Sequence, residues 1–141
     1  MGKRSFFLLI LILIGMILLV LAFFNLNKTE NDLFAEIRTA PVVKLESSDS
    51  GEDAAIFVDN TGTTASIADM RIQSSAKKFS EEWLYCFTYN PQEKVIGGQE
   101  ITVFLGLDSL EINGTVYIPE DGVKYETILE WAEGVYEYYT K

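Results

Sequence analysis

Nineteen consecutive uncharged residues, Phe6 to Phe24, constrain this 141-residue chain more than any other feature, and among them only Gly15 lacks an apolar side chain. At about 1.5 Å per helical residue the run is about 28 Å long, close to the thickness of a lipid hydrocarbon core. A helix that packs inside a soluble domain needs one apolar stripe, not apolar residues all round. A cleaved secretory signal is the competing reading, but its apolar region runs about 7–15 residues and ends at a small-x-small site. This run is longer and ends Ala22-Phe23-Phe24-Asn25, which favours an uncleaved anchor. Lys3 and Arg4 are the only charges before residue 25, so the positive-inside rule keeps residues 1–5 cytoplasmic and sends the C-terminal part out of the cytoplasm. No cysteine stands directly after the apolar run, so a bacterial lipoprotein is not expected.

All 21 acidic residues lie beyond that segment, against nine basic ones, a net charge of −12 for the remainder of the chain. Such a surface repels nucleic acid and anionic head groups, which are held by Lys and Arg. It suits a salty or acidic exterior, or a basic partner.

Residues 25–41 read as a stalk or linker. Leu33, Phe34 and Ile37, interleaved with Asp32, Glu36 and Arg38, allow the membrane helix to continue or a second short helix to form. Pro41 is a natural stop. From residue 42 onward the pattern turns to strands. Ala54–Val58 precedes the turn-forming Asp59-Asn60-Thr61-Gly62, and Ser66–Ile72 alternates. Trp83–Tyr89 reads as a central strand, followed by Asn90-Pro91, a Gly97-Gly98 turn, Ile101–Leu105 and Thr115–Ile118. Pro119-Glu120-Asp121-Gly122 reads as a type I turn leading into a return strand, Val123–Leu129. In the tail, Ile128, Trp131, Ala132, Val135 and Tyr139 fit a helical period. Gly134 and the β-prone Val135–Tyr139 favour instead a turn near Ala132–Gly134 and a last strand. About seven short strands at this spacing predict a mostly β chain: an N-terminal transmembrane helix (6–24), then one antiparallel β-sandwich over 42–141.

The chain contains no histidine, which excludes Ser-His, Cys-His and His-metal chemistry, and a single cysteine, which excludes an intrachain disulfide. Cys86 lies in the most apolar strand and is expected to pack as a small hydrophobe. No phosphate-binding glycine loop occurs, and no cofactor is expected. The adjacent pairs Glu81-Glu82 and Glu120-Asp121 read as solvated side chains at turns rather than acid–base partners. Asp49, Glu52 and Asp53, joined by Asp59, offer oxygen ligands for calcium but lack EF-hand spacing, and a solvated loop is favoured. Two glycosylation sequons occur. Asn27-Lys28-Thr29 lies beside the apolar run; Asn113-Gly114-Thr115 falls in an expected inter-strand turn and makes Asn113 the candidate acceptor.

The stretch Ile56-Phe57-Val58-Asp59-Asn60-Thr61-Gly62-Thr63-Thr64-Ala65-Ser66-Ile67 resembles the strand–turn–strand opening of immunoglobulin-like domains of archaeal surface proteins. Ile96-Gly97-Gly98-Gln99-Glu100-Ile101-Thr102-Val103 is similar to their later turn and strand, and Gly114–Tyr117 with Asp121–Glu126 to their closing hairpin. The likeness covers roughly residues 54–130 and rests on turn chemistry, so it implies an immunoglobulin-like fold more than an activity. A hydrophobic N-terminal helix joined to such a domain resembles archaeal type IV pilins, archaellins and archaellum accessory proteins. In the processed members, a basic pair and a small residue precede the cleavage site, which implies Ser5-Phe6 here. The expected function is a non-enzymatic, membrane-anchored surface module that binds other surface or membrane proteins, or copies of itself, and no nucleic acid. Its contact would be a sheet edge or face, or the exposed part of Trp131, Tyr136, Tyr138 and Tyr139, though core positions are favoured for these four. The alternatives are a filament subunit processed after Ser5 and a small accessory subunit of a membrane complex.

Overall fold

The computed structural model describes residues 2–50, 54–70, 72–75, 79 and 82–140, and of residues 24–31 the backbone alone. The chain falls into two compact units, Met1–Leu33 and Phe34–Lys141.

The first unit is a stretch of one long helix, α1 (Lys3–Thr39). Leucine and isoleucine dominate its first two-thirds, with no proline to interrupt the backbone ladder. Within it, Lys3–Phe23 is 21 residues long, apolar enough to cross a membrane, and has no side chain buried in the protein. Beyond that stretch α1 continues to Thr39, just before Pro41. The last turn, from Phe34, belongs to the second unit.

The second unit is built on one antiparallel seven-stranded sheet of order β2-β1-β4-β5-β6-β7-β3. The strands are β1 (Val42–Ser47), β2 (Ile56–Asp59), β3 (Ile72–Ser75), β4 (Tyr85–Tyr89), β5 (Ile101–Leu105), β6 (Leu110–Ile112) and β7 (Thr115–Pro119). Register sorts their side chains. Ile56, Leu45, Phe87, Val103 and Ile112 face one another across five strands, and all but Ile56 are buried. The row beside it, Glu46-Cys86-Phe104-Glu111-Val116-Ser75, projects from the opposite face and mixes carboxylates with apolar groups. One face is thus a core and the other is partly wet, as expected of an antiparallel sheet covered on one side.

The cover is helical. Helix α3 (Gly122–Thr140) sets Tyr125, Ile128, Ala132 and Tyr136 inward at spacings of three and four residues. Trp131 meets Phe87 edge-on at 6.2 Å between ring centroids, and Tyr136 lies 6.4 Å from Tyr85. The short helix α2 (Gly62–Ala65) and a 3-10 turn (Ser66–Ala68) add buried Thr64 and Ile67.

These helices correct the expected immunoglobulin-like sandwich: the strands form one sheet, and α3 supplies the second layer. Val123–Leu129 is not a return strand and Val135–Tyr139 is not a last strand, because Asp121 starts a helix instead of a hairpin. Its carboxylate accepts the Lys124 backbone N–H at 3.1 Å, the N-cap geometry. Over nineteen residues, burial of the stripe outweighs the β-propensity of the tail and the helical cost of Gly134. In the expected strand Ser66–Ile72, Ser66–Ala68 forms the 3-10 turn instead, β3 starts at Ile72, and Arg71 lies outside the described residues.

Candidate functional site

Beside the start of α3 lies an open cleft of about 300 Å³, lined by Gly62, Thr63, Ser66, Asp69, Met70, Lys124, Thr127 and Ile128. A second hollow of about 500 Å³ shares Asp69 and Lys124 with it and adds Glu120, Asp121 and Gly122. The cleft forms because α2 and the 3-10 turn cross near α3 and leave Met70 and Ile128 as part of its floor. Several of its polar groups are engaged in holding the fold. Asp69 pairs with Arg38 at 2.5 Å, Glu120 accepts from Gln73 Nε2 at 2.9 Å, and Asp121 caps α3. The Ser66 hydroxyl donates to the Thr63 carbonyl and the Thr127 hydroxyl to the Val123 carbonyl. The arrangement offers a shape and a few charges.

The most ordered polar chemistry lies where α1 ends. Asn60 Nδ2 donates to the Ile37 carbonyl at 2.8 Å, satisfying one of the acceptors a helix terminus leaves open. Its Oδ1 accepts from the buried Thr64 hydroxyl at 2.6 Å, and the Thr64 carbonyl accepts from the Tyr89 hydroxyl, also at 2.6 Å. Asn90, with a left-handed φ of 54°, directs Nδ2 to Glu36 Oε2 and to the Gln99 carbonyl, each at 3.1 Å. Ile37 is fully buried, and Phe34 stacks edge-on against Tyr117 at 6.2 Å. Together these residues clasp the last turn of α1 into the sheet domain. The sequence reading gave Asn60 and Asn90 only turn roles; each tolerates tight backbone, but the distant carbonyls and carboxylate they serve leave no local signal.

The sequence-predicted residues are dispersed. Ser5 and Phe6 lie exposed in the first turn of α1, their amides bonded to the Gly2 carbonyl at 3.0 and 3.3 Å. Asn113 sits on the β6–β7 turn and is not among the residues that line the cleft. Asp49 is exposed, Asp59 ends edge strand β2 opposite Val42, and Glu52, Asp53 and Glu81 lie outside the described residues. Among the described residues no group of three His, Cys, Asp or Glu side chains could hold a metal ion. Of the aromatic set, Tyr136 is buried and Trp131 half-buried, whereas Tyr138 and Tyr139 are exposed and contact each other.

The buried titrating groups are held neutral. Removal from water pushes the Cys86 thiol up to about 12, with Glu46 adding to the effect, so a thiolate is not available near neutrality. Burial also raises Tyr89 well above its ordinary value. Tyr125 is raised by burial and then by Asp108, while its hydroxyl donates to the carbonyls of Gly106 at 2.6 Å and Ser109 at 2.9 Å. No protein-family profile, no curated protein and no solved structure matches the chain.

Proposed function

We propose that the protein is a membrane-anchored, non-enzymatic module that displays its acidic, mostly β domain outside the cytoplasm. The observation that carries this reading is the Lys3–Phe23 stretch of α1, whose apolar side chains find no cover in the protein and whose length and hydropathy suit a membrane span. Lys3 and Arg4 at its start favour a cytoplasmic N-terminus. A structural role is supported by the carboxylates and hydroxyls around the cleft, which are committed to caps, ion pairs and turns. The partners are other surface or membrane proteins, or further copies of this chain. The test is alkaline carbonate extraction of native membranes together with protease treatment of intact cells. The reading expects the chain in the carbonate-resistant pellet and its acidic domain digested from outside. Release by carbonate, or a domain protected until the cells are lysed, would overturn it.

A second reading, a filament subunit processed after Ser5, draws on α1 being one unbroken 37-residue helix. Its mark is a mature chain beginning at Phe6, against a start at Met1 or Gly2 for the anchor. An immunoglobulin-like sandwich no longer supports either reading, and a small accessory subunit of a membrane complex would share the anchor's N-terminus.

A further inference from the structure

We infer that Asn113 is an N-glycosylation site, carrying a saccharide on its side-chain amide. The inference rests on the proposed outward location of the sheet domain.

The sequon Asn113-Gly114-Thr115 forms the connection between β6 and β7, and all three residues are exposed. Asn113 and Gly114 both take positive φ, 46° and 89°, as a two-residue hairpin turn demands. Asn113 is exposed at the end of the sheet beside β5, and among the described residues nothing lies within 4 Å of where a Cβ on Gly114 would sit. The two halves of the amide are used differently. Oδ1 accepts the Thr102 backbone N–H at 3.2 Å, and the Asn113 backbone N–H returns a bond to the Thr102 carbonyl, also at 3.2 Å. Nδ2 makes no hydrogen bond within the described residues. Glycosyl transfer replaces one hydrogen on Nδ2 and leaves the carbonyl oxygen an amide acceptor. The bond that holds the turn thus survives the modification, and the atom that reacts is the one the fold leaves open.

In the reaction the Nδ2 lone pair attacks the anomeric carbon of a lipid-linked saccharide phosphate. The carbon–oxygen bond to the phosphate breaks, the lipid phosphate departs with that electron pair, and the amide proton passes to a base of the transferase. The Thr115 hydroxyl, two residues on, is what such a transferase reads beside the amide. Asn27-Lys28-Thr29 provides an internal comparison, because its backbone is tied into α1 directly after the apolar segment. The same transferase is expected to leave it unmodified.

The test is peptide mass spectrometry on the full chain isolated from its own membranes, with protease accessibility of the domain measured in the same cells. The expected result is a saccharide mass, of hexose, N-acetylhexosamine or other sugar residues, on Asn113, none on Asn27, complete loss in Thr115→Ala and retention in Thr115→Ser. The threonine variants leave the Asn113-Gly114 turn intact, so a folding failure of Asn113→Gln does not decide the matter. Unmodified Asn113, or its conversion to aspartate, in a chain whose domain is digested from outside overturns this inference alone. Unmodified Asn113 with a domain protected inside the cell overturns both this inference and the functional reading beneath it.

Discussion

Helices α1 and α3 answer the same hydrophobic demand in opposite ways. Over Lys3–Phe23, α1 exposes apolar side chains in every direction, and none is buried by the rest of the chain. In α3 burial is confined to a stripe, Tyr125, Ile128, Ala132 and Tyr136, while Glu126, Glu130, Glu133 and Glu137 stand on the exposed side with Val123, Tyr138 and Tyr139. For α1 the free energy depends on how many apolar residues there are, and hardly on which neighbour each one meets. For α3 it depends on which residue occupies each position. Substitutions of similar chemistry should therefore have separable consequences in the two helices.

The largest separation comes from charge placed in α1. Near a membrane centre, leucine, isoleucine, phenylalanine and valine each favour insertion by about 0.3–0.6 kcal/mol, whereas a lysine opposes it by about 3. With weaker contributions toward its ends, the run is worth roughly 5 kcal/mol in favour of insertion. Leu13→Lys alone should stay in the carbonate-resistant membrane fraction; Leu13→Lys with Leu18→Lys should leave it. In detergent, the urea midpoint of the sheet domain should be the same in both, since neither residue belongs to that unit. A shifted midpoint would break the comparison. Ile128→Ala should do the reverse. Ile128 is buried under α3, and removing three carbons there costs about 2–5 kcal/mol of domain stability with no change in membrane fraction.

Asn60→Ala sharpens the comparison, because it tests where α1 stops behaving as a lipid-facing helix. The substitution leaves the Ile37 carbonyl and the Thr64 hydroxyl without their partner, a loss of about 1–3 kcal/mol. That loss should appear in the urea midpoint of the sheet domain, although one of the orphaned groups belongs to α1. The structure draws the boundary at Phe34, so the same helix should report lipid chemistry before it and packing after it. If Asn60→Ala leaves the midpoint unmoved, the last turn of α1 is not part of the domain core.

The difference between the helices also explains what the sequence made legible. The apolar run of α1 is additive, and an additive property can be counted in a single segment without knowing its neighbours. Strand alternation is nearly as local, and β4, β5 and β7 were expected close to where they occur. Helix α3 was not, because Val123–Leu129 and Val135–Tyr139 have strand-like composition and their helical stripe gains its free energy only against Phe87, Tyr85 and the rest of the sheet. Its period was visible in Ile128, Trp131, Ala132 and Val135, but propensity at the β-prone tail outweighed it. The clasp was hidden for the same reason, since Asn60 and Asn90 act on groups 23 and 54 residues away. Asn113 was legible because everything that makes it a candidate, the Asn-Gly turn and the threonine two residues on, is contiguous.

The smallest effect, and the one aimed most directly at that misreading, is Asp121→Ala. Pro119-Glu120-Asp121-Gly122 suits a hairpin turn as well as a helix start, and the Asp121 carboxylate is the local group that favours the helix, through its bond to the Lys124 N–H. Its loss should cost about 1 kcal/mol, with Asp121→Asn and Asp121→Ser recovering most of it, because both still offer an oxygen to the first turn. Circular dichroism should show helix content almost unchanged, since the buried stripe still holds α3 on the sheet. Hydrogen exchange should rise only at the amides of the first turn, near Lys124 and Tyr125. A larger loss, with exchange spreading to Ala132, would mean that the cap rather than the stripe decides between helix and hairpin. Position-specific packing would then no longer be what separates α3 from α1.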